Sequence, residues 1–340
     1  MRIMISNDDG IFAPGIAALI QAFHAAGHEV IVCAPDSQRS AASHSLSIGR
    51  PISVKKVQLD GAAQAFAIGG TPADCVKLGM EVLVKGCEAV ISGINHGYNV
   101  GTDILYSGTV AAAMEGAICG VPALAHLTCA SSTHEQVRAV LDNLKTIGVE
   151  NILALRGDIP ADAPFPLPNQ YKYASELVRE IRAYGDFCIG AACYPESHPE
   201  SMSRKEDIEN LKRKVDSGVD FLTTQMFFDN NVLYNFLYRA RNAGINVPII
   251  AGVMPVTNAK QIRRTCKLSG TALPPRFAAI VDKFGDDPRA MKQAGIAYCT
   301  EQIIDLIANG VGHVHIYTMN KPDIAEKIIG NLSEIFHPKG

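Results

Sequence analysis

Strand-like and helical patterns alternate along almost the whole chain, and this alternation constrains its fold more than any other feature. Short apolar runs fall at 2–6, 29–34, 89–92, 122–129, 151–155, 188–193, 220–225, 248–253 and 312–317, and helical periodicity fills most of the gaps. The pattern predicts α/β architecture: parallel sheets covered by helices, with functional sites at the C-terminal ends of the strands. Residues 51–68 depart from it, with short alternating stretches that predict a β-hairpin excursion. Thr71-Pro72 places a capping hydroxyl and an N1 proline ahead of a helix predicted over 73–84. Thr133 and Gln136 have the spacing of a capping box. Residues 120–129 read as one buried strand, with no linker on either side.

A chain of 340 residues can bury a large core, and a net charge of −3 argues against a general affinity for nucleic acid. Its nine cysteines contain no Cys-x-x-Cys pair, so reduced thiols in a cytoplasmic protein are expected. No apolar run reaches the roughly 18 to 20 residues of a membrane span, so no membrane partner and no targeting segment are expected.

Two clusters at predicted strand ends invite chemistry. The first is Asn7-Asp8-Asp9-Gly10, whose adjacent carboxylates either hold a hard divalent cation or form a solvated turn. Three further segments fall at strand ends of the same sheet: Pro35-Asp36-Ser37-Gln38-Arg39-Ser40, Ser92-Gly93-Ile94-Asn95-His96-Gly97, and Ser107-Gly108-Thr109 at a helix start. The last offers backbone N–H groups to an anion, and a metal beside a phosphate cradle describes a phosphomonoesterase.

Residues 1–123 resemble the SurE (survival protein E) family of metal-dependent nucleoside 5′-monophosphatases. Besides the segments above, Gly70-Thr71-Pro72-Ala73-Asp74-Cys75-Val76 supports the resemblance. It implies a divalent metal, Mg or Mn, on Asp8, Asp9, Ser40 and Asn95, and a nucleoside monophosphate whose phosphate meets Ser107, Gly108 and Thr109. It also implies that Asp8 helps to activate a water and that the protein is a homo-oligomer, although the family's C-terminal arm is missing here.

The second cluster begins at Leu155-Arg156-Gly157-Asp158, which by itself reads as a tight turn. Tyr194-Pro195-Glu196-Ser197-His198-Pro199-Glu200 follows another strand, and helical spacing places Asp207, Asn210 and Lys214 on one face, for which a solvated charged face is the plainer reading. Thr224-Gln225-Met226-Phe227-Phe228, Gly252-Val253-Met254-Pro255 and Tyr317-Thr318-Met319-Asn320 close later strands, with Phe227 and Phe228 read as core.

Residues 124–336 resemble methylenetetrahydrofolate reductase, a flavin-dependent β/α-barrel family. The match runs through Ala125-His126-Leu127-Thr128-Cys129, the segments above, Tyr173-Ala174-Ser175, Asn210-Leu211-Lys212-Arg213-Lys214 and Pro255-Val256-Thr257-Asn258. It implies FAD contacts from His126, Arg156, Gly157, Asp158, Tyr173, Ala174, Tyr194, His198, Asp207, Asn210, Arg213 and Lys214. Folate contacts fall on Gln225 and Gln261, and NAD(P)H is the implied electron donor. Asp158 would tune the flavin from its pyrimidine edge. Lys321 stands where many relatives have arginine, which removes a bidentate contact.

A closed barrel needs eight strands, and six fall between residues 122 and 317. The family's first two units bring a proton-donating acid and a threonine-tyrosine segment that meets flavin and nicotinamide; this chain has SurE-like sequence there instead. The expected fold is therefore a doubly wound N-terminal parallel sheet (1–123) joined through a strand to a partial, six-unit β/α barrel (124–336). Either the strands at 29–34 and 89–92 complete the barrel, or the N-terminal strands keep their own sheet with strand 122–129 shared or contested. The second arrangement is preferred because Asp8, Asp9, Ser40 and Asn95 converge only there. Three functions stand open: a phosphohydrolase, a flavin oxidoreductase, and a chimera that binds FAD and metal without turnover.

Overall fold

The computed structural model describes residues 1–39, 45–49, 51–93, 107–121, 123–130, 132–146, 148–157, 166, 169–319 and 321–336, without the side chains of Thr109, Leu268, Pro322 and Phe336. Contacts divide the chain into two compact units, Met1–Ile152 with Leu167–Gln170, and Leu153–Pro166 with Tyr171–Gly340.

The first unit opens with β1 (Arg2–Ser6), α1 (Pro14–Ala25), β2 (Glu29–Pro35), β3 (Val54–Val57), β4 (Gln64–Ile68), α2 (Pro72–Leu78), β5 (Ala89–Ser92) and α3 (Gly108–Ile118). These strands form one sheet in the order β3-β4-β2-β1-β5. β1 lies between β2 and β5, parallel to both. Alternation along β1 sends Ile3 and Ile5 into the cluster containing Ile16 and Ile20 of α1, and Met4 into the opposite cluster with Cys75 and Val76 of α2. Helices thus cover both faces, as a doubly wound sheet requires. The hairpin expected over 51–68 exists, with β3 antiparallel to β4, but β4 is no excursion because it pairs parallel with β2. Exposed Lys55 and Lys56 mark the edge strand β3, where charge discourages further pairing.

The helix predicted over 73–84 is shorter than its periodicity suggests. Thr71 caps α2, but a π-helical turn, Gly79–Leu83, replaces the rest. A Cβ on Gly79 would meet Met4 and the Cys33 sulfur at 2.7–2.9 Å, so the backbone runs too close to the sheet for any larger residue.

The chain continues through β6 (Leu124–Thr128), α4 (His134–Thr146), β7 (Asn151–Leu155), α5 (Ala174–Tyr184), β8 (Cys188–Cys193), α6 (Arg204–Asp216), β9 (Phe221–Thr224) and α7 (Asn230–Asn242). It ends with β10 (Ile249–Val253), α8 (Ala259–Ser269), α9 (Pro275–Phe284), α10 (Pro288–Ala308), β11 (Val314–Ile316), α11 (Pro322–Asn331) and α12 (Ser333–Phe336). The six strands run in the order β11-β10-β9-β8-β7-β6, a partial β/α barrel. Strands β2 and β5 do not complete it, since both flank β1. The expectation of one buried strand over 120–129 is overturned: among the described residues of that stretch only Leu124–Thr128 is strand, Leu124 is 47% exposed and His126 is exposed. Its place at the end of the sheet, where an eight-stranded barrel would continue, explains the difference. Thr133 and Gln136 do form the expected capping box, the two reciprocal bonds measuring 2.9 and 3.2 Å. Phe227 and Phe228 are core, at 0 and 2% exposure. All nine cysteines are free thiols, and among the described residues no helix is long and apolar enough to cross a membrane.

Candidate active sites

In the first unit, the loops after β1 and β2 close against each other. Gly10 has φ +102°, and a Cβ there would sit 3.3 Å from the Ser37 backbone, so the turn needs glycine. Arg39 N donates to Asp8 O at 2.7 Å, Ile11 N to Pro35 O at 2.8 Å, and Gly93 N to Ser6 O at 2.9 Å, bringing three strand ends together. Asp8 is buried and Asp9 half-buried. Ser107 is buried too, and its hydroxyl caps α3 by accepting from Val110 N at 3.2 Å. A Cβ on Gly108 would lie 2.7 Å from Asp8 Cβ, 2.9 Å from Pro72 Cγ and 3.2 Å from Asp8 Oδ2. The Asp8 carboxylate therefore occupies the cradle a side chain would fill, beside the positive end of a helix.

The structure thus brings Asp8, Ser107 and Gly108 together, with Asp9 next in the chain. Thr109 lies in the first turn of α3, and Ser40 and Asn95 fall outside the described residues. Among the described residues, no three His, Cys, Asp or Glu side chains gather as a metal cluster. The expected set needs only two carboxylates, completed by hydroxyl and amide oxygens, a donor set suited to a hard divalent ion. The close approach of Asp8 to Gly108 sets that carboxylate beside the first turn of α3.

The second site surrounds the end of β8. Tyr194 and His198 meet edge to face, with ring centroids 4.7 Å apart. Buried Asp207 accepts from His198 N at 3.1 Å and from the Ser201 hydroxyl at 2.9 Å, fixing the loop between β8 and α6. Arg156 forks onto Glu200 through two bonds of 2.9 and 2.8 Å. That pairing holds the Glu200 carboxyl below its ordinary range, chiefly through the Arg156 hydrogen bond. Burial pushes the His198 imidazole below its ordinary value.

Lys214 lies on α6, two turns beyond Asp207. Its ammonium donates to the Ala192 carbonyl at 2.5 Å, and among the described residues no carboxylate forms an ion pair with it. Burial draws its pKa below the ordinary lysine value, while Cys193 and Asp207 act in the opposite direction. Lys214 is half-buried, with its ammonium turned to the backbone of β8 rather than to a carboxylate. Asn210 and Arg213 bond to each other on exposed positions of α6. Exposed Tyr173 precedes α5 with the Lys172 ammonium 5.2 Å above its ring, and Ala174 opens that helix. Gly157 turns with φ +82°, and Asp158 lies outside the described residues. His126 is on β6 in the first unit.

Gln261 lines a shallow, half-open pocket with Met254, Thr257, Met319 and Lys321. Lys321 Nζ donates to the Thr257 hydroxyl at 2.8 Å, a single contact where a guanidinium would offer a fork. Gln225 accepts from Met226 N through its own side chain at 3.0 Å.

Fold and strand-end chemistry together define an α/β chain that joins a doubly wound sheet to part of a β/α barrel. The methylenetetrahydrofolate reductase family model matches residues 84–333, more than half of the chain, and the chain belongs to that family. The survival protein SurE model matches residues 3–164, so the chain is a chimera of the two sequence types, with residues 84–164 matched by both. The 5,10-methylenetetrahydrofolate reductase of Escherichia coli is 36% identical over 213 residues, 63% of this chain and 71% of that protein. Methylenetetrahydrofolate reductase (NADH) 1 of Arabidopsis thaliana is 35% identical over 243 residues, 68% of this chain but 41% of that protein. Methylenetetrahydrofolate reductase 2 of Saccharomyces cerevisiae is 39% identical over 210 residues, and the match spans 35% of its length. A crystal structure of the SurE protein from Aquifex aeolicus aligns over 45% of this chain and 62% of that one, at 39% identity and a TM-score of 0.33.

Sequence reasoning missed two residues that organise these sites. Glu200 occupies the Arg156 fork, and its position two residues after His198 in a strand-end cluster was the available signal. Asp74 receives bonds from Ser47 and Thr71, and only the second was readable, as capping-box spacing.

Proposed function

We propose that the chain is a flavoprotein of the methylenetetrahydrofolate reductase type, whose second unit binds FAD and passes electrons from NAD(P)H to a folate. The observation that supports this most is the half-buried Lys214 ammonium, with no ion-pair carboxylate among the described residues and electrostatically coupled to His198 and Asp207. When bound, FAD supplies a ring that accepts and returns hydride, chemistry that no side chain offers. The chain's own residues do the holding. Lys214, Arg156 and Arg213 supply positive charge for the diphosphate, the Tyr194 and His198 rings supply flat surfaces, and Asp207 keeps their loop in place. Asp158 is assigned to the flavin's pyrimidine edge, Gly157, Tyr173, Ala174 and Asn210 to further flavin contacts, and Gln225 and Gln261 to folate, while His126 belongs to the first unit. The test is an FAD titration followed by anaerobic NAD(P)H. Tight FAD binding that Lys214→Met weakens supports the reading, and a chain that retains no flavin refutes it.

The Asp8 cradle at Gly108 favours a second activity in the first unit, a divalent-metal-dependent nucleoside 5′-monophosphate phosphohydrolase. Asp8, Asp9, Ser40 and Asn95 would hold the metal, which when bound neutralises charge developing on phosphorus. Asp8 would orient the attacking water, while Ser107 and the first N–H groups of α3 hold the phosphate. Phosphate release from AMP that needs Mn²⁺ or Mg²⁺ and is lost in Asp8→Asn is expected. Release that is indifferent to both would refute it.

A further inference from the structure

The loop that follows β8 is tied at several points. Arg239 Nη2 donates to Pro195 O at 3.3 Å, Ala272 N donates to Glu196 Oε2 at 3.0 Å, and Ser201 N donates to His198 O at 2.9 Å. Between these ties Ser197 has φ +114°, a conformation that favours glycine. A serine persists there only when its surroundings over-determine the backbone, and strain of this kind gathers at functional sites.

Glu200 follows His198 and Pro199 in the same loop and meets two of the residues assigned to the flavin. Its backbone N–H donates to His198 Nδ1 at 3.1 Å. A backbone amide can only donate, so Nδ1 presents its lone pair and the neutral ring carries its proton on Nε2. Burial, the largest influence on this imidazole, favours the neutral form. The Glu200 carboxylate takes both terminal nitrogens of Arg156, Nη1 at 2.9 Å and Nη2 at 2.8 Å. The Glu200 side chain is 51% exposed and that of Arg156 22%. An ion pair this exposed adds little to stability, but its fork fixes the plane of the guanidinium.

We infer that Glu200 is a positioning residue of the second site: its N–H holds His198 as the Nε2–H tautomer and its carboxylate fixes the Arg156 guanidinium, so that both meet FAD already oriented. The inference rests on the flavoprotein reading. Glu200 acts only through these two residues, and orienting them beforehand lowers the ordering cost of binding.

The test measures FAD affinity by fluorescence titration, melting temperature, and histidine ¹⁵N NMR on the full-length chain. Glu200→Ala is expected to weaken FAD binding by up to about fivefold. Glu200→Gln, which keeps an oxygen for the guanidinium, should recover part of that loss. Glu301→Ala is the comparison: it removes another exposed fork, on Arg276 at 3.0 and 2.6 Å, and should leave FAD affinity unchanged. In the flavin-free wild type near neutral pH, the His198 signal, identified by its loss in His198→Gln, should show a protonated Nε2 and an unprotonated Nδ1. Unchanged or tighter FAD binding in Glu200→Ala overturns the inference and leaves the flavin site standing, a tighter value meaning that the carboxylate merely screens Arg156. A proton on His198 Nδ1 also overturns it, and because that measurement uses the unaltered chain, a variant that fails to fold does not shield the inference. A wild-type chain that binds no FAD overturns the flavoprotein reading and this inference with it.

Discussion

Replacing Gly108 by alanine tests the first site at its tightest point. The new methyl would lie 2.7 Å from Asp8 Cβ and 2.9 Å from Pro72 Cγ, against a comfortable carbon separation of about 3.5 Å. Something must therefore yield by roughly 0.8 Å. The obstacles are the first side-chain carbon of Asp8 and a proline ring, neither of which can swing clear as a long side chain would. Overpacking of this kind costs about 1–3 kcal/mol, partly offset by the 0.5–1 kcal/mol that alanine gains over glycine in a helix. A net loss of about 1 kcal/mol lowers the melting temperature of a unit this size by roughly 2–4 °C. Function should suffer more, because metal ligation and phosphate positioning tolerate only about 0.5 Å of error. Mn²⁺ calorimetry and metal-dependent phosphate release are the assays, with Gly330→Ala, a helical glycine of ordinary φ whose Cβ would meet nothing within 4 Å, as a comparison. If Gly108→Ala binds Mn²⁺ as wild type does and melts higher, Asp8 is not seated in that cradle and the reasoning fails.

Further outcomes follow from the same structure. Lys214→Met keeps a long apolar stem while removing a half-buried charge, so stability should change by less than about 1.5 kcal/mol while FAD affinity falls, as read by flavin absorbance after gel filtration. Because Asp74 titrates below the ordinary aspartate value of 3.8, its contribution to stability is complete above that value and is lost as pH falls through the depressed one. The gap in melting temperature between wild type and Asp74→Asn should accordingly be constant near neutrality and narrow only in acid; a gap that widens on acidification contradicts the sign. Thr133→Ala should cost about 1 kcal/mol by removing the cap of α4, measured by thermal melting.

The places where the sequence misled were those decided by neighbours far along the chain. The strands of both sheets were legible because buried parallel strands need unbroken apolar runs. Strand β6 looks equally apolar, yet it ends its sheet, and nothing local in Leu124–Thr128 reports that two neighbouring strands are missing. The periodicity over 73–84 is helical, but at Gly79 the backbone meets Met4 and Cys33, and the helix widens into a π turn. β4 gives the alternation of a hairpin strand, while its second partner, β2, is set by the sheet as a whole. Of the site residues, Asp8 and Gly108 were readable as motifs, but their contact was not. The bond between Ser47 and Asp74 spans 27 residues with no signal in spacing. The Lys214 position was legible as one face of a helix, whereas its missing counter-charge was visible only once β8 and α6 were in place.

We propose that the six-stranded partial barrel binds flavin around Lys214, Arg156, Tyr194 and His198. The visible absorbance spectrum of the purified chain, taken after saturation with FAD and gel filtration and again after anaerobic addition of NAD(P)H, tests this most directly. A flavin band that elutes with the protein and bleaches on reduction is predicted, and a colourless protein would contradict the claim.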